Sequence, residues 1–169
     1  MGALNMTTSH TLGLGLAVLL LAACAQATPP SYQWHENGAT RHGWLDIQNG
    51  IDTSSGQAVQ KPYPTTSRSK SALGLPRDSK LLPIVRLGPA GDAPYLVPAG
   101  GVIVQSTDPA ALQTWAAKRQ LNASPAGIDG YWRINTAPGN DSLEAATALA
   151  SLPGVQSASP DWSRPRQRR

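Results

Sequence analysis

The stretch GVIVQSTDPAALQTWAAKRQLNASPAGIDGYWRINTAPGNDSLEAATALASLPGVQSASPDW, residues 101–162, decides the fold. Val102-Ile103-Val104 is a β-branched run with strand character. Asp108-Pro109 follows. Aspartate is a good helix N-cap, and proline suits the first helical position because an N–H there would have no partner anyway. Residues 109–121 are rich in Ala, Leu, Gln and Lys, with Leu112 and Trp115 spaced to face a sheet. Leu121 to Gly127 predicts a second strand, interrupted by Pro125. Tyr131-Trp132-Arg133-Ile134-Asn135 alternates as a third, with Trp132 and Ile134 on one face. Asp141 and Glu144 have capping-box spacing and predict a helix capped by Asp141, with Leu143, Ala146, Leu149, Ala150 and Leu152 as its apolar stripe. Pro153-Gly154 stops it. Val155 to Trp162 returns as a last strand whose exposed end is marked by Pro160.

This order predicts an α+β fold of the ferredoxin-like, split βαβ kind. A four-stranded antiparallel sheet carries two helices on one face, because right-handed crossovers put both on the same side. The other face is left uncovered, and an uncovered apolar face is a docking surface by default. Upstream, Leu81, Leu82, Ile84, Val85 and Leu87 form an apolar cluster broken by Pro83. Tyr95-Leu96-Val97 follows, and Pro98-Ala99-Gly100-Gly101 reads as a turn. The expected domain spans residues 81–162, with its core in 100–162.

Residues 24–80 read as a mostly irregular spacer. TPPSYQWHENG and KPYPTTSRSKS hold too little apolar area to offset chain ordering. Gly43 to Ile47 is expected to make one short strand, with Leu45 and Ile47 on one side and Trp44 and Asp46 on the other. His35, His42, Asp46 and Asp52 are expected in solvent-facing loops, because none has metal-ligand spacing. No catalytic residue, cofactor or metal site is expected, and the protein is not expected to be an enzyme.

Leu12 to Ala25, LGLGLAVLLLAACA, suits the apolar region of a secretory signal and is too short to span a bilayer. It ends in Leu21-Ala22-Ala23-Cys24, which resembles a bacterial lipobox, and Cys24 is the single cysteine of the chain. Residues 1–23 are therefore read as a lipoprotein-type signal and Cys24 as the lipidated residue. Ala25-Gln26-Ala27 offers a rival cut for ordinary secretion. The protein is expected to be exported, as a periplasmic or outer-membrane lipoprotein or, alternatively, as a periplasmic or secreted soluble protein.

The chain has 169 residues and a formal net charge of +4. Arg164, Arg166, Arg168 and Arg169 lie in the last six residues. Removing those four from the 14 cations leaves ten against ten anions, so the body is neutral. A basic face for nucleic acid is therefore not expected.

Leu149-Ala150-Ser151-Leu152-Pro153-Gly154-Val155, followed by Ala158 and Ser159-Pro160-Asp161-Trp162, resembles the end of a subtilase prodomain. Such prodomains form the peptidase-inhibitor family of subtilisin-like propeptides. The resemblance covers residues 100–162. The chain carries no catalytic Asp, His and Ser motif set of a subtilase and reaches seven residues past Trp162. It is therefore similar to the external chaperones of bacterial kexin-like subtilases. The resemblance implies a partner, a subtilisin-like serine protease bound one to one by a monomer. It also implies a mode of binding, with the open sheet face on the protease and the extended tail in its cleft. Arg169 would fill the primary pocket and Arg168 the next. Arg166, Arg164, Trp162 and Asp161 would complete the contact. A generic interaction module of an envelope lipoprotein is the competing expectation.

Overall fold

The computed structural model describes residues 31–55, 58–64, 69–77 and 79–164. Cys24, the signal and residues 165–169 lie outside them. Along the chain run β1 (Tyr32–Glu36), β2 (Ala39–Asp52), β3 (Val59–Pro62), β4 (Leu82–Arg86), β5 (Tyr95–Ser106), α1 (Pro109–Ala117), β6 (Asn122–Pro125), β7 (Tyr131–Asn135), α2 (Asn140–Ala150) and β8 (Val155–Ser163).

β5 organises the molecule. Leu96-Val97 and Val102-Ile103-Val104 belong to one strand, and Pro98–Gly101 bends it without ending it. Gly100 and Gly101 take φ of 110° and 88°, which side chains with a Cβ rarely adopt. The bend is tied down from outside. The Gly101 N–H donates to Thr136 Oγ1 (2.9 Å), and the Gly139 N–H donates to the Pro98 carbonyl (3.1 Å). Before the bend, Tyr95 and Leu96 pair with β4. After it, Val102–Gln105 pair with β7 along one edge and with β8 along the other.

The product is one eight-stranded sheet in the order β1-β2-β4-β5-β7-β6, with β3 on β2 and β8 on β5, every pairing antiparallel. This corrects the expected four-stranded ferredoxin-like sheet with a largely irregular N-terminal extension. Two features of the chain explain the difference. Pro98–Gly101 is a bend inside one strand rather than a turn between two, and the polar stretch before residue 63 supplies three strands. β1 and β2 form a hairpin closed by Asn37-Gly38, whose φ values of 51° and 74° match the two-residue turn that suits the twist of paired strands. β1 alternates strictly, with Tyr32 and Trp34 buried and Gln33 and His35 exposed. Gly43 to Ile47 is part of the fourteen-residue β2, and a register shift between Leu45 and Gly50 breaks the expected alternation, leaving Ile47 63% exposed.

Both helices pack on the sheet face that carries Val102, Val104, Ile134 and Ala158, through Leu112, Trp115, Ala116, Ala145, Ala146 and Leu149. α1 begins as expected: Asp108 accepts a hydrogen bond from the Ala111 N–H, and Pro109 is the first helical residue. α2 does not. Its N-cap is Gly139, with no side-chain cap, so Asp141 lies inside the first turn and Glu144 pairs with Arg77 at 3.4 Å instead. Pro160 is also not an exposed end. It is buried opposite Val102, where the β5–β8 ladder slips register. A residue without an N–H is tolerated at such a slip.

A second cluster gathers Tyr32, Trp34, Leu75, Val85, Leu96 and Leu143, with Trp162 packed against it. It joins the N-terminal strands to α2 and β8. A third, smaller one holds Ile51, Ile84 and Val97. Beside them, Asp46 accepts from Arg86 Nη2 at 2.9 Å, with side-chain exposures of 9% and 11%.

Candidate functional site

Alternation along β5, β7 and β8 gives the sheet a second face. Opposite Val102 and Val104 point Ile103 and Gln105, which pair with Ser159 and Ser157 on β8 and with Arg133 and Tyr131 on β7. Ser124, opposite Arg133, continues this face onto β6. It was expected to be apolar. It is polar: apart from Ile103 and Tyr131, it presents hydroxyl, amide and charged groups.

One side of this face is walled. The tip of the β1–β2 hairpin brings His35, Glu36 and Asn37 beside β8 and encloses a groove of about 350 Å³. Its floor includes Ile103, Tyr131, Ser157 and Ser159, and Asp161, Trp162 and Arg164 lie along it as well. Ser157 and Ser159 are 5% and 7% exposed, small enough to leave the floor recessed.

The site residues expected from sequence divide into three groups. Arg166, Arg168 and Arg169 lie outside the described residues, as does the lipidation residue Cys24. Arg164 is exposed and lines the groove. Asp161 and Trp162 line it too, but each is also held by the chain itself. Asp161 forms an ion pair with Arg133 Nη2 at 2.9 Å. The Trp162 ring meets Trp34 and Tyr32 edge-on, with centroids 5.1 and 6.3 Å apart, while Tyr32 and Trp34 stack at 5.9 Å. Tyr32 donates its hydroxyl to the Leu143 carbonyl at 3.2 Å. Burial pushes that phenol well above its usual value, partly offset by a hydrogen bond with Thr147, so it remains a neutral donor.

None of the four residues expected in loops is in one. His35 lies on β1 and shares a hydrogen bond with Thr40 (3.2 Å), while His42 and Asp46 lie on β2. Asp52 closes β2 and pairs with Lys61 at 2.6 Å. That hydrogen bond, with others from Ser54, holds its carboxyl below the usual range. The hairpin wall stands where a spacer was expected, although Tyr-Gln-Trp-His-Glu alternates and Asn-Gly is the strongest short hairpin signal. Among the described residues no group of three or more His, Cys, Asp and Glu side chains is placed to hold a metal ion.

No family model matches the chain, and no match is found among curated proteins or solved structures.

Proposed function

We propose that the protein is an exported chaperone and inhibitor of a subtilisin-like serine protease. It acts by binding, with the helix-free sheet face on the protease and the arginine-rich segment after Ser163 in the protease cleft. The observation that carries this reading is the path of β8. The strand ends at Ser163, and Arg164 sits on the groove of the helix-free face. The basic segment therefore departs from the rim of the surface proposed to dock. Asp161 and Trp162, fastened to Arg133 and Trp34, fix its starting direction. Arginine suits this role because its planar fork makes charge-assisted, often bidentate bonds to carboxylates lining a pocket. A segment bound in extended form gives the cleft a backbone to pair with by strand addition.

The prodomain-like motif supports the same reading and also has a structural logic of its own. Leu149 and Ala158 are fully buried in the first core. Gly154 takes φ of 80°, and its carbonyl accepts from the Thr107 N–H (2.9 Å) and Ser106 Oγ (3.1 Å), which fastens the helix-to-strand turn to the end of β5.

The test uses the mature full chain and a separate subtilisin-like protease that cleaves after paired basic residues. Deleting Arg168 and Arg169 is expected to weaken inhibition at least tenfold while the thermal unfolding curve stays in place. An unchanged inhibition constant overturns the role of the segment. The proposed anchor is tested by metabolic labelling with a lipid precursor, which the Cys24→Ala variant should fail to incorporate.

A further inference from the structure

We infer that the tip of the β1–β2 hairpin is a second contact with the same partner, one that selects which protease is bound. This rests on the reading above. It assigns the polar rim beside the partner's cleft to the groove between the hairpin tip and β8.

Reach limits where the partner can sit. Arg168 and Arg169 lie four and five residues beyond Arg164, so even fully extended they are at most roughly 18 Å from it. A folded protease is far wider than that. Whatever holds those arginines must bring its cleft rim down onto the surface around Arg164. That surface is the groove, and its raised wall is His35, Glu36 and Asn37.

The wall projects from a fixed base. Nothing lies within 4 Å of where a side chain on Gly38 would begin, so the turn stands clear of the body. Its base does not share that freedom. Two residues before His35 and Glu36 respectively, Gln33 and Trp34 are locked into the β1–β2 ladder, and the Trp34 ring is wedged between Tyr32 and Trp162. A projecting element on a fixed base loses little entropy when it binds. The wall presents an imidazole, a carboxylate and a carboxamide, so the rim it fits is one with hydrogen-bonding groups. His35 already shares a hydrogen bond with Thr40, and the Glu36 carboxylate is 41% exposed with Arg41 Nε 3.8 Å away. A rim that buries these groups without offering partners of its own costs them their remaining water contacts, which is how polar contacts reject wrong partners.

The experiment measures inhibition and dissociation rate for the full-length protein and three variants against a dibasic-specific subtilisin-like protease. One variant changes the wall (Glu36→Ala), one the floor (Tyr131→Ala) and one the basic segment (Arg168→Ser with Arg169→Ser). Thermal unfolding is followed for each. The wall and floor variants are each expected to speed dissociation at least fivefold without lowering the unfolding temperature. Combined with the segment variant, their effects should multiply, because the two contacts are separate. Dissociation as slow as that of the unaltered protein in both the wall and floor variants overturns the inference while leaving the role of the arginines intact. Lack of any inhibition by the unaltered protein overturns the underlying reading instead. A floor variant that unfolds leaves the exposed Glu36→Ala variant to decide.

Discussion

The indole of Trp162 meets that of Trp34 at 5.1 Å between ring centroids and 60° between planes, across 128 residues of sequence. One ring belongs to the last strand and the other to the first, so the contact closes the two ends of the described chain on each other. Trp34 is 4% exposed. Its replacement by alanine is expected to cost about 3–5 kcal/mol, the range for deleting a buried aromatic ring. A double-mutant cycle with Trp162→Ala should return a coupling of about 0.5–1.5 kcal/mol. Urea unfolding followed by circular dichroism gives both numbers. A coupling near zero would separate the two rings energetically.

Asp46 and Arg86 predict an acid limit. Burial works against the Asp46 carboxylate. Hydrogen bonds from Arg86, from the Asn49 and Gln48 backbone and from the Asn49 side chain outweigh it and hold the carboxyl below its usual value. A carboxyl lowered in the folded chain gives stability that is complete above the unfolded value, about 3.9, and is lost as pH falls through the folded one. Unfolding free energy should therefore lose this contribution only below about pH 4. Asp46→Ala leaves the Arg86 guanidinium largely buried without its carboxylate and should cost about 3 kcal/mol at pH 7. Urea titrations at several pH values check both.

Asp108 is worth about 1 kcal/mol to the start of α1. Its carboxylate accepts from the Ala111 N–H at 3.0 Å, and alanine there leaves that donor without a partner inside the protein. Asp108→Asn should keep most of the stability, which a cap made through a side-chain oxygen requires. Equal losses for Ala and Asn would point to another role.

Gly101→Ala is expected to cost about 1–2 kcal/mol. Its φ of 88° is costly for a residue with a Cβ, and that Cβ would lie 3.3 Å from the Ile134 carbonyl and 3.4 Å from the Arg133 guanidinium. Thermal unfolding measures the loss. Gly91→Ala, where nothing lies within 4 Å and φ is not positive, should be nearly silent.

The chemistry legible in the sequence was the chemistry of short spacings. Asp108-Pro109 fixed the start of α1, the alternation of 131–135 fixed β7, and Val155 onward gave β8, each a signal contained within a few residues. What failed needed a partner far along the chain. The bend at Gly100-Gly101 looks like any turn until Thr136 and Gly139 are seen holding it open. α2 starts on Gly139, where a spacing rule favoured Asp141, and a cap without a side chain leaves no mark to read. Tyr32 and Trp34 looked too sparse to form a core because Leu75, Val85, Leu96 and Leu143 complete it from elsewhere. The groove was hidden for the same reason, since its wall and its floor lie more than sixty residues apart in sequence. Asn37-Gly38 and the alternation of residues 32–36 were the local clues to that wall.

β5 threads both ladders on a single backbone, β4 before its bend and β7 after it, while β8 follows it across the bend from Val97 to Ser106. The two sides of the bend therefore share two paired strands, not one. Heat or urea should thus dismantle the described chain in one cooperative step, and a proteolytic nick in the 98–101 bend would release two fragments that each lack half of a common spine.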